Sequence, residues 1–190
     1  MYIIYMFHVY SKMSVPPNYN IIYQNPNMEL LENVNKIVYD QSVSIQPTIS
    51  FLDAYALMPS DNPNPIAVGS DIAFPNINST SNSDILPVAN STSSFTLGPI
   101  GVYDIYFQVG VTDVSGCQLV VTLNNVEKSY TVSGLVGSNV IVGRTFMNTT
   151  VVNSVVTIRN PAANARSAVL TPSLGGNSPI SAHLIITRLR

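Results

Sequence analysis

The sequence predicts an all-β domain, either a sandwich or a barrel of antiparallel strands, and among sandwiches a jelly roll fits best. One observation is spacing, because about eight to ten short apolar or alternating segments recur roughly every 8–12 residues. A second is that the pattern contains neither a helix of useful length nor a repeat of roughly 20–50 residues. A third is composition: 46% of the residues are hydrophobic, 9% are charged, and 55 of 190 are Ser, Thr or Asn.

The predicted domain covers residues 49–190 and begins with two strands. Ile49–Ala56 is apolar and is followed by a Pro/Asn-rich loop, and Ile66–Phe74 is the next apolar segment. The polar stretch 76–84 is predicted to be a loop, because Asn, Ser and Thr dominate it. Ser94–Leu97 is predicted to be a short strand that ends at a Gly-Pro pair.

The clearest predicted strand is Gly101–Thr112, where core-type and outward-type residues alternate strictly. Such alternation is typical of a strand with one face on the core. If an oligomer buries the second face, Asp104 needs an arginine or another hydrogen-bond partner there. The core face would carry Tyr103, Ile105, Phe107, Val109 and Val111, and the second face Asp104, Tyr106, Gln108 and Gly110.

The remaining strands include a predicted hairpin. Asn124-Asn125 is a two-residue turn signal, so it joins Cys117–Leu123 to a strand over Val126–Val132. A long connection rich in Ala, Ser and Gly, residues 161–179, precedes the last strand. The other predicted strands are Ser138–Thr150, Ser154–Arg159 and Ser181–Leu189.

The first 48 residues differ from the rest, because proline, asparagine and tyrosine interrupt any regular pattern. Residues 1–12 are an apolar leader whose presence in the mature protein the sequence leaves open, and they lack the basic start and cleavage site of a signal peptide. Residues 13–48 are predicted to form an extended arm or connector. Within the arm, Asn27–Asp40 also fits a helix, but its Val, Ile and Tyr content and the nearby Pro47 favour extended structure.

The arm is apolar and carries little charge, so we expect it to dock onto its own domain or onto a neighbouring subunit. An exposed strand edge on an identical subunit would accept the arm as an added strand. The predicted arm contacts are Tyr19, Ile21, Ile22, Tyr23, Leu30, Leu31, Val34, Ile37 and Val38.

The residue types that carry catalysis and cofactor binding are scarce. The two histidines, His8 and His183, and the dispersed carboxylates form no catalytic or metal-binding motif. Eight Lys and Arg are too few for a basic face that binds nucleic acid, and no apolar run has the roughly 18 residues of a membrane span. With Cys117 as the one cysteine, no internal disulfide can form. The sequence therefore predicts no catalytic site and no cofactor.

Two strand segments resemble a known family. GVYDIYFQV at 101–109 and AHLIITRLR at 182–190 are similar to strands of the complement C1q/TNF-like jelly roll. Between them, QLVVTLNN and VVNSVVTIRNP resemble the C-terminal head of the collagen-like glycoproteins of the bacterial spore exosporium. The resemblance covers residues 66–190. The collagen stalk of those glycoproteins is missing here, because the ten glycines show no period of three.

The resemblance implies a non-enzymatic, ten-stranded jelly roll that forms a trimer around a threefold axis. On that axis, three copies of His183 could hold an ion, whereas a His183 that faces the sandwich interior or a strand neighbour would form no such site. The residues implied for the trimer and its core strands are Tyr103, Ile105, Tyr106, Phe107, Val109, His183, Leu184 and Ile186.

Together, these observations predict a structural protein of a spore surface layer, an appendage fibre or a similar particle surface, located outside the cell. Its expected partners are copies of itself, as a homotrimer or as a polymer linked through the arm, and coat or surface-layer proteins. The alternative is a recognition or adhesion head that binds a glycan or a protein ligand at the trimer clefts. Low charge favours assembly, because free β-sandwiches commonly protect their sheet edges with charged residues.

Overall fold

The computed structural model describes residues 49–58, 60–112, 116–137, 139–171 and 179–190. Thr48–Arg190 forms a compact unit, and its described regular structure consists of strands and one short 3-10 turn. The strands are β1 (Ser50–Leu57), β2 (Asn76–Thr80), β3 (Ile85–Pro87), β4 (Phe95–Leu97), β5 (Val102–Val111), β6 (Cys117–Leu123), β7 (Val126–Glu127), β8 (Ser133–Leu135), β9 (Asn139–Asn148), β10 (Ser154–Arg159) and β11 (Ile180–Arg188), and the turn is Ser129–Thr131.

These strands form two antiparallel sheets that enclose one hydrophobic core. The first sheet has the order β2-β1-β11-β5-β9, and the second has the order β3-β4-β10-β6-β7, with β8 also paired to β6. From β4 onward the chain crosses repeatedly between the sheets, which is the connectivity of a jelly roll. The predicted all-β jelly-roll sandwich is confirmed.

The core is made by alternate residues of the strands, as period-two patterning requires. β5 shows the predicted pattern, since Tyr103, Ile105 and Phe107 are buried and Gln108 is exposed. The same alternation extends along β1, where every second residue from Ser50 to Ala56 is buried. Alternation along the sequence therefore identifies which side of the first sheet meets the core.

The region after β6 contains one prediction that is confirmed and one that is wrong. Asn124 and Asn125 have φ of 52° and 63° and join β6 to β7 in the expected two-residue hairpin. Val126–Val132 is not one strand, because the 3-10 turn separates β7 from β8. At this break the Thr131 hydroxyl accepts the backbone N–H of Val121 on β6 at 2.9 Å. A side chain thus supplies a bond that a continuous strand would supply from its backbone.

Two predictions for the chain between β1 and β3 are also wrong. Ile66–Phe74 is not a strand but a loop held by isolated bridges, and Gly69 turns the chain with φ of 74°. Its apolar residues Ile72 and Phe74 nevertheless reach the core, which explains the strand-like pattern. Conversely, Asn76–Thr80 was expected to be a loop and is strand β2 at the sheet edge. An edge strand needs backbone bonds to one neighbour only, so it can be polar on both sides.

Candidate self-association surface

Most of the residues implied for the trimer and its core strands lie in the core of the sandwich. Tyr103, Ile105, Phe107, Val109, Leu184 and Ile186 are buried between the two sheets. A neighbouring subunit cannot contact these side chains without opening the fold. The side chains of Tyr106 and His183 alternate with them and lie on the opposite side of the first sheet.

Tyr103 is a polar residue within that core. Its hydroxyl donates a hydrogen bond of 2.6 Å to the backbone carbonyl of Pro99. Burial raises the pKa of Tyr103 above its ordinary value, and the nearby Arg188 partly offsets this. The hydroxyl ties β5 to the loop that precedes it, and it does so as a neutral donor.

The outward side of the first sheet forms a continuous grid, here called the outer face. Antiparallel register aligns three rows of side chains across β1, β11, β5 and β9. The rows are Phe51–Thr187–Asp104–Phe146, Asp53–Ile185–Tyr106–Arg144 and Tyr55–His183–Gln108–Val142. The face thus combines aromatic and aliphatic side chains with two carboxylates, an arginine and a histidine.

The two carboxylates are paired with the arginine and the histidine across neighbouring strands. Arg144 donates from Nε to Asp104 Oδ1 at 3.0 Å and from Nη2 to Asp104 Oδ2 at 2.6 Å, a bidentate pair. The carboxylate holds the pKa of Arg144 above its ordinary value, through hydrogen bonding first and charge second. The sequence predicts that Asp104 needs an arginine or another hydrogen-bond partner if an oligomer buries this face, and in the structure Arg144 is such a partner.

His183 and Asp53 form the second ionisable pair on the face. His183 Nε2 contacts Asp53 Oδ1, and Asn78 Nδ2 donates to the other oxygen of Asp53 at 2.8 Å. His183 therefore faces a strand neighbour, the arrangement that counts against an ion held by three copies of it. No group of three metal-ligating side chains occurs in the described ranges, and no helix there is long and apolar enough to cross a membrane.

The apolar part of the face is concentrated on β9, an edge strand of the first sheet. Val142 is 52% exposed and Phe146 is 61% exposed, and the Arg144 guanidinium lies 5.9 Å from the centre of the Phe146 ring. Sequence reasoning did not single out these β9 residues, although the alternation of Ser138–Thr150 contained the signal. The predicted arm contacts, from Tyr19 to Val38, lie outside the described residues.

A concavity lies at the opposite end of the second sheet from the Asn124–Asn125 hairpin. Its volume is about 640 Å³, and it is bordered by the start of β6, by β8 and by the loop at Asn164–Arg166. Polar groups of Gln118 and Asn164 and apolar groups of Leu135 and Val136 line it. The described lining residues include no aromatic ring on which a sugar could stack.

Comparison with known proteins identifies solved structures of similar fold. No protein-family model matches the chain, and no curated protein sequence matches it. Among solved structures, murine APRIL at pH 5.0 is similar with a TM-score of 0.54 and 16% identity, over 74% of this chain and 99% of APRIL. Eiger TNF from S. frugiperda is similar with a TM-score of 0.51 and 10% identity, over 75% of this chain and 92% of Eiger.

The globular domain of zebrafish complement 1qA protein is a more distant neighbour, with a TM-score of 0.46 and 14% identity, over 74% of this chain and 93% of that domain. At these identities the likeness to APRIL and Eiger concerns the fold alone. The C1q/TNF-like resemblance of the sequence is therefore confirmed as a resemblance of fold. The likeness to exosporium heads has no counterpart among these neighbours.

Proposed function

We propose that this jelly-roll domain of C1q/TNF-like fold is a non-enzymatic structural subunit that forms a homotrimer through its outer face. The observation that carries the proposal is the outer face itself. It exposes Phe146 and Val142 beside Tyr55, Tyr106 and Ile185, over four aligned strands. Exposed apolar side chains grouped on one face of a domain commonly mark an interaction site.

The charges of the outer face support burial of that face in an assembly. Burying an unpaired carboxylate would cost several kcal/mol. Here Asp104 is already bonded to Arg144, and Asp53 is bonded to His183 and Asn78. A neighbouring subunit can therefore cover the face without leaving a carboxylate there unpartnered. Covering Val142 and Phe146 contributes about 1–2 kcal/mol each.

We propose that this subunit belongs to a spore surface layer, an appendage fibre or a similar particle surface outside the cell. With 9% charged residues, the chain carries less charge than a typical soluble domain, which suits a protein surrounded by other subunits. The arm, residues 13–48, links trimers to one another or to coat and surface-layer proteins. Neither a cofactor nor a nucleic acid takes part in this function.

The interface is tested by removing its apolar side chains without disturbing the core. Val142→Ser/Phe146→Ser in the full-length chain should lower the trimer fraction by at least about tenfold at equal concentration. Val136→Ser is the matched control, because Val136 is 85% exposed and lies outside the outer face. Mass by light scattering is the readout, with circular dichroism to confirm that the variants keep their β structure.

Equal trimer fractions in the double variant and in Val136→Ser would contradict the outer face as the subunit interface. If the wild type, the double variant and Val136→Ser all form trimers to the same extent, the trimer contact lies elsewhere on the domain. If the double variant loses its β structure, the variant Phe146→Leu replaces it in the test. Phe146→Leu keeps an apolar side chain and should weaken the trimer less.

The alternative function, a recognition or adhesion head, is favoured by the concavity beside β8. Its volume of about 640 Å³ lies within the range of small-ligand sites, and Gln118, Asn164 and Arg166 supply polar groups at its wall. Binding of a glycan or a protein ligand at trimer clefts would promote this alternative. Glycan-array binding at micromolar strength that is lost in Asn164→Ala would establish the recognition head. An absence of binding across the array would leave the structural subunit as the one supported function.

A further inference from the structure

The two ionisable pairs of the outer face differ in how their net charge depends on pH. An arginine keeps its charge throughout the physiological range, so Arg144 offsets the charge of Asp104 at every pH in that range. Histidine, in contrast, is the side chain whose charge ordinarily changes between about pH 5 and 8. His183 therefore offsets the charge of Asp53 only while its ring is protonated, although the contact between the two is built into the sheet.

The contact between His183 and Asp53 fixes where the imidazole gains its second proton. Nε2 lies against Asp53 Oδ1, and because a carboxylate only accepts hydrogen bonds, Nε2 carries a proton in both the neutral and the charged ring. The charging proton thus binds at Nδ1, which has no hydrogen-bond partner among the described residues. Both forms of the ring keep the contact, and what changes between them is the net charge of the pair.

The surroundings of His183 supply one charge, that of Asp53. The outer-face side chains beside His183 on β1, β5 and β11 are Asp53, Tyr55, Tyr106, Gln108, Ser181 and Ile185. The buried Ser181 hydroxyl has no hydrogen-bond partner in the described structure, so it stabilises neither form of the ring. Asn78, which bonds the other oxygen of Asp53, is a neutral amide, and Arg144 lies on β9, two strands away from β11.

Water reaches this pair in a single subunit. The side chain of His183 is 39% exposed and that of Asp53 is 20% exposed. Solvent therefore screens the carboxylate of Asp53 while the ring is neutral. In the trimer proposed above a neighbouring subunit covers the outer face, and a carboxylate whose charge is not offset is strongly disfavoured there. Covering the face thus favours the charged ring over the neutral one.

We propose that the pair of His183 and Asp53 makes assembly through the outer face dependent on pH, so that trimers are favoured in acid. This inference rests on the proposed function, because it concerns the regulation of the same face. An assembly that favours the charged ring takes up protons as it forms, and linkage then requires it to strengthen as the pH falls. A trimer contains three copies of the pair, so their effects add.

Light scattering of the full-length protein over a concentration series, at about pH 5.5 and about pH 7.5, tests this dependence. The readout is the half-assembly concentration, at which half of the chains are in trimers. In the wild type it should be at least about tenfold higher at the higher pH. If dilution alone does not dissociate the trimer, the urea concentration that dissociates half of it replaces this readout and should be lower at the higher pH. His8→Gln is the matched control, because it removes the other of the two histidines and should keep the difference.

Two variants should respond differently if the net charge of the pair is what matters. His183→Gln leaves the charge of Asp53 without an offset, so at the lower pH it should assemble as weakly as the wild type does at the higher pH. Asp53→Asn has no carboxylate, so at the higher pH it should assemble at least as well as the wild type and should gain nothing in acid. Circular dichroism at both pH values shows whether each variant keeps its β structure, and either variant carries the test if the other does not fold.

A pH dependence that persists in His183→Gln would overturn the proposal, and so would weaker assembly of both variants at both pH values, which is the result of a purely structural contact. Wild-type trimers that form equally well at both pH values would also overturn it, while the proposed assembly itself would stand. A wild type that stays monomeric at both pH values would contradict the assembly function, and this regulation with it.

Discussion

At the scale of single residues, the outer face shows how one surface can hold charged groups and still be suited to burial. Asp104 is bonded to Arg144, which lies on the adjacent strand, and Asp53 is bonded to His183 in the same way. Each pair is diagonal in the antiparallel register, where long side chains reach one another. The alternation of β5 indicated that Asp104 points outward, but its partner depends on which strands become neighbours.

Removing the Arg144 guanidinium tests whether these pairs matter in an assembly. Arg144→Leu leaves the Asp104 carboxylate without its bidentate donor on a face that the trimer would bury. We expect a lower trimer fraction in this variant and little change in the fold of each subunit. Light scattering at a series of concentrations measures the first quantity, and circular dichroism measures the second. An unchanged trimer fraction would indicate that this part of the face stays in solvent.

Tyr103 gives a prediction that concerns stability and pH. Tyr103→Phe removes the 2.6 Å bond to Pro99 O and should lower the free energy of unfolding by about 1 kcal/mol at neutral pH. Burial raises the pKa of Tyr103, so the unfolded chain loses this proton first as the pH rises. The contribution of Tyr103 is therefore complete below about pH 10 and is lost as the pH rises above that value.

Urea unfolding at fixed protein concentration, at neutral and at alkaline pH, measures both effects. The stability difference between the wild type and Tyr103→Phe should shrink as the pH rises above about 10. Tyr106→Phe is the control, because the Tyr106 hydroxyl lies on the outer face and bonds only to Gln108 in the described structure. A constant difference across this pH range would contradict the assignment of Tyr103 as a buried neutral donor.

At the scale of elements, alternation and turn chemistry predicted the strands that have one clear core face. β5, β9 and β11 fall within about two residues of their predicted bounds for this reason. β6 and β10 also fall within these limits, but β6 is buried on both sides, so its apolar run and the Asn124-Asn125 turn indicate it instead. β2 could not be found this way, since both of its sides are largely exposed and its residues are polar. The prediction of a strand at Ile66–Phe74 is wrong for a different reason. This segment is a loop, but it lies against a sheet and therefore also presents apolar side chains to the core.

That loop gives a prediction of its own. Asp71 accepts bonds from Arg159 Nε at 2.7 Å and from Thr157 Oγ1 at 2.8 Å, and so fastens the loop to β10. Asp71→Ala should lower the free energy of unfolding by about 2 kcal/mol, because a charge-assisted network is lost. Asp71→Asn keeps the shape and should lose less. Urea unfolding compares the two, and equal stability of Asp71→Ala and the wild type would contradict this role of the network.

Packing between β5 and β9 gives a second prediction at this scale. Gly143 lies opposite Phe107, and a Cβ added at Gly143 would lie 2.2 Å from the Phe107 ring. Gly143→Ala should therefore lower the free energy of unfolding by about 1–3 kcal/mol through overpacking. Phe107→Leu in the same chain should recover part of this loss by making room. Thermal or urea unfolding of the single and double variants measures the effect, and additive losses would contradict it.

At the scale of the whole molecule, the fold could be predicted in class and connectivity, whereas its surfaces could not. Strand spacing and the likeness of GVYDIYFQV and AHLIITRLR to C1q/TNF-like strands indicated the jelly roll that the structure contains. The outer face combines residues from several separate segments, such as Tyr55, His183 and Phe146. Such groupings follow from sheet order and register, which periodicity along one segment does not specify.

We expect this jelly roll to assemble into trimers, and the mass of the full-length protein in solution decides whether it does. One chain has a mass of 20.5 kDa. Light scattering over a range of micromolar concentrations should give three times that mass, or a multiple of three when the arm links trimers. A single species with the mass of one chain across the whole range would contradict the account.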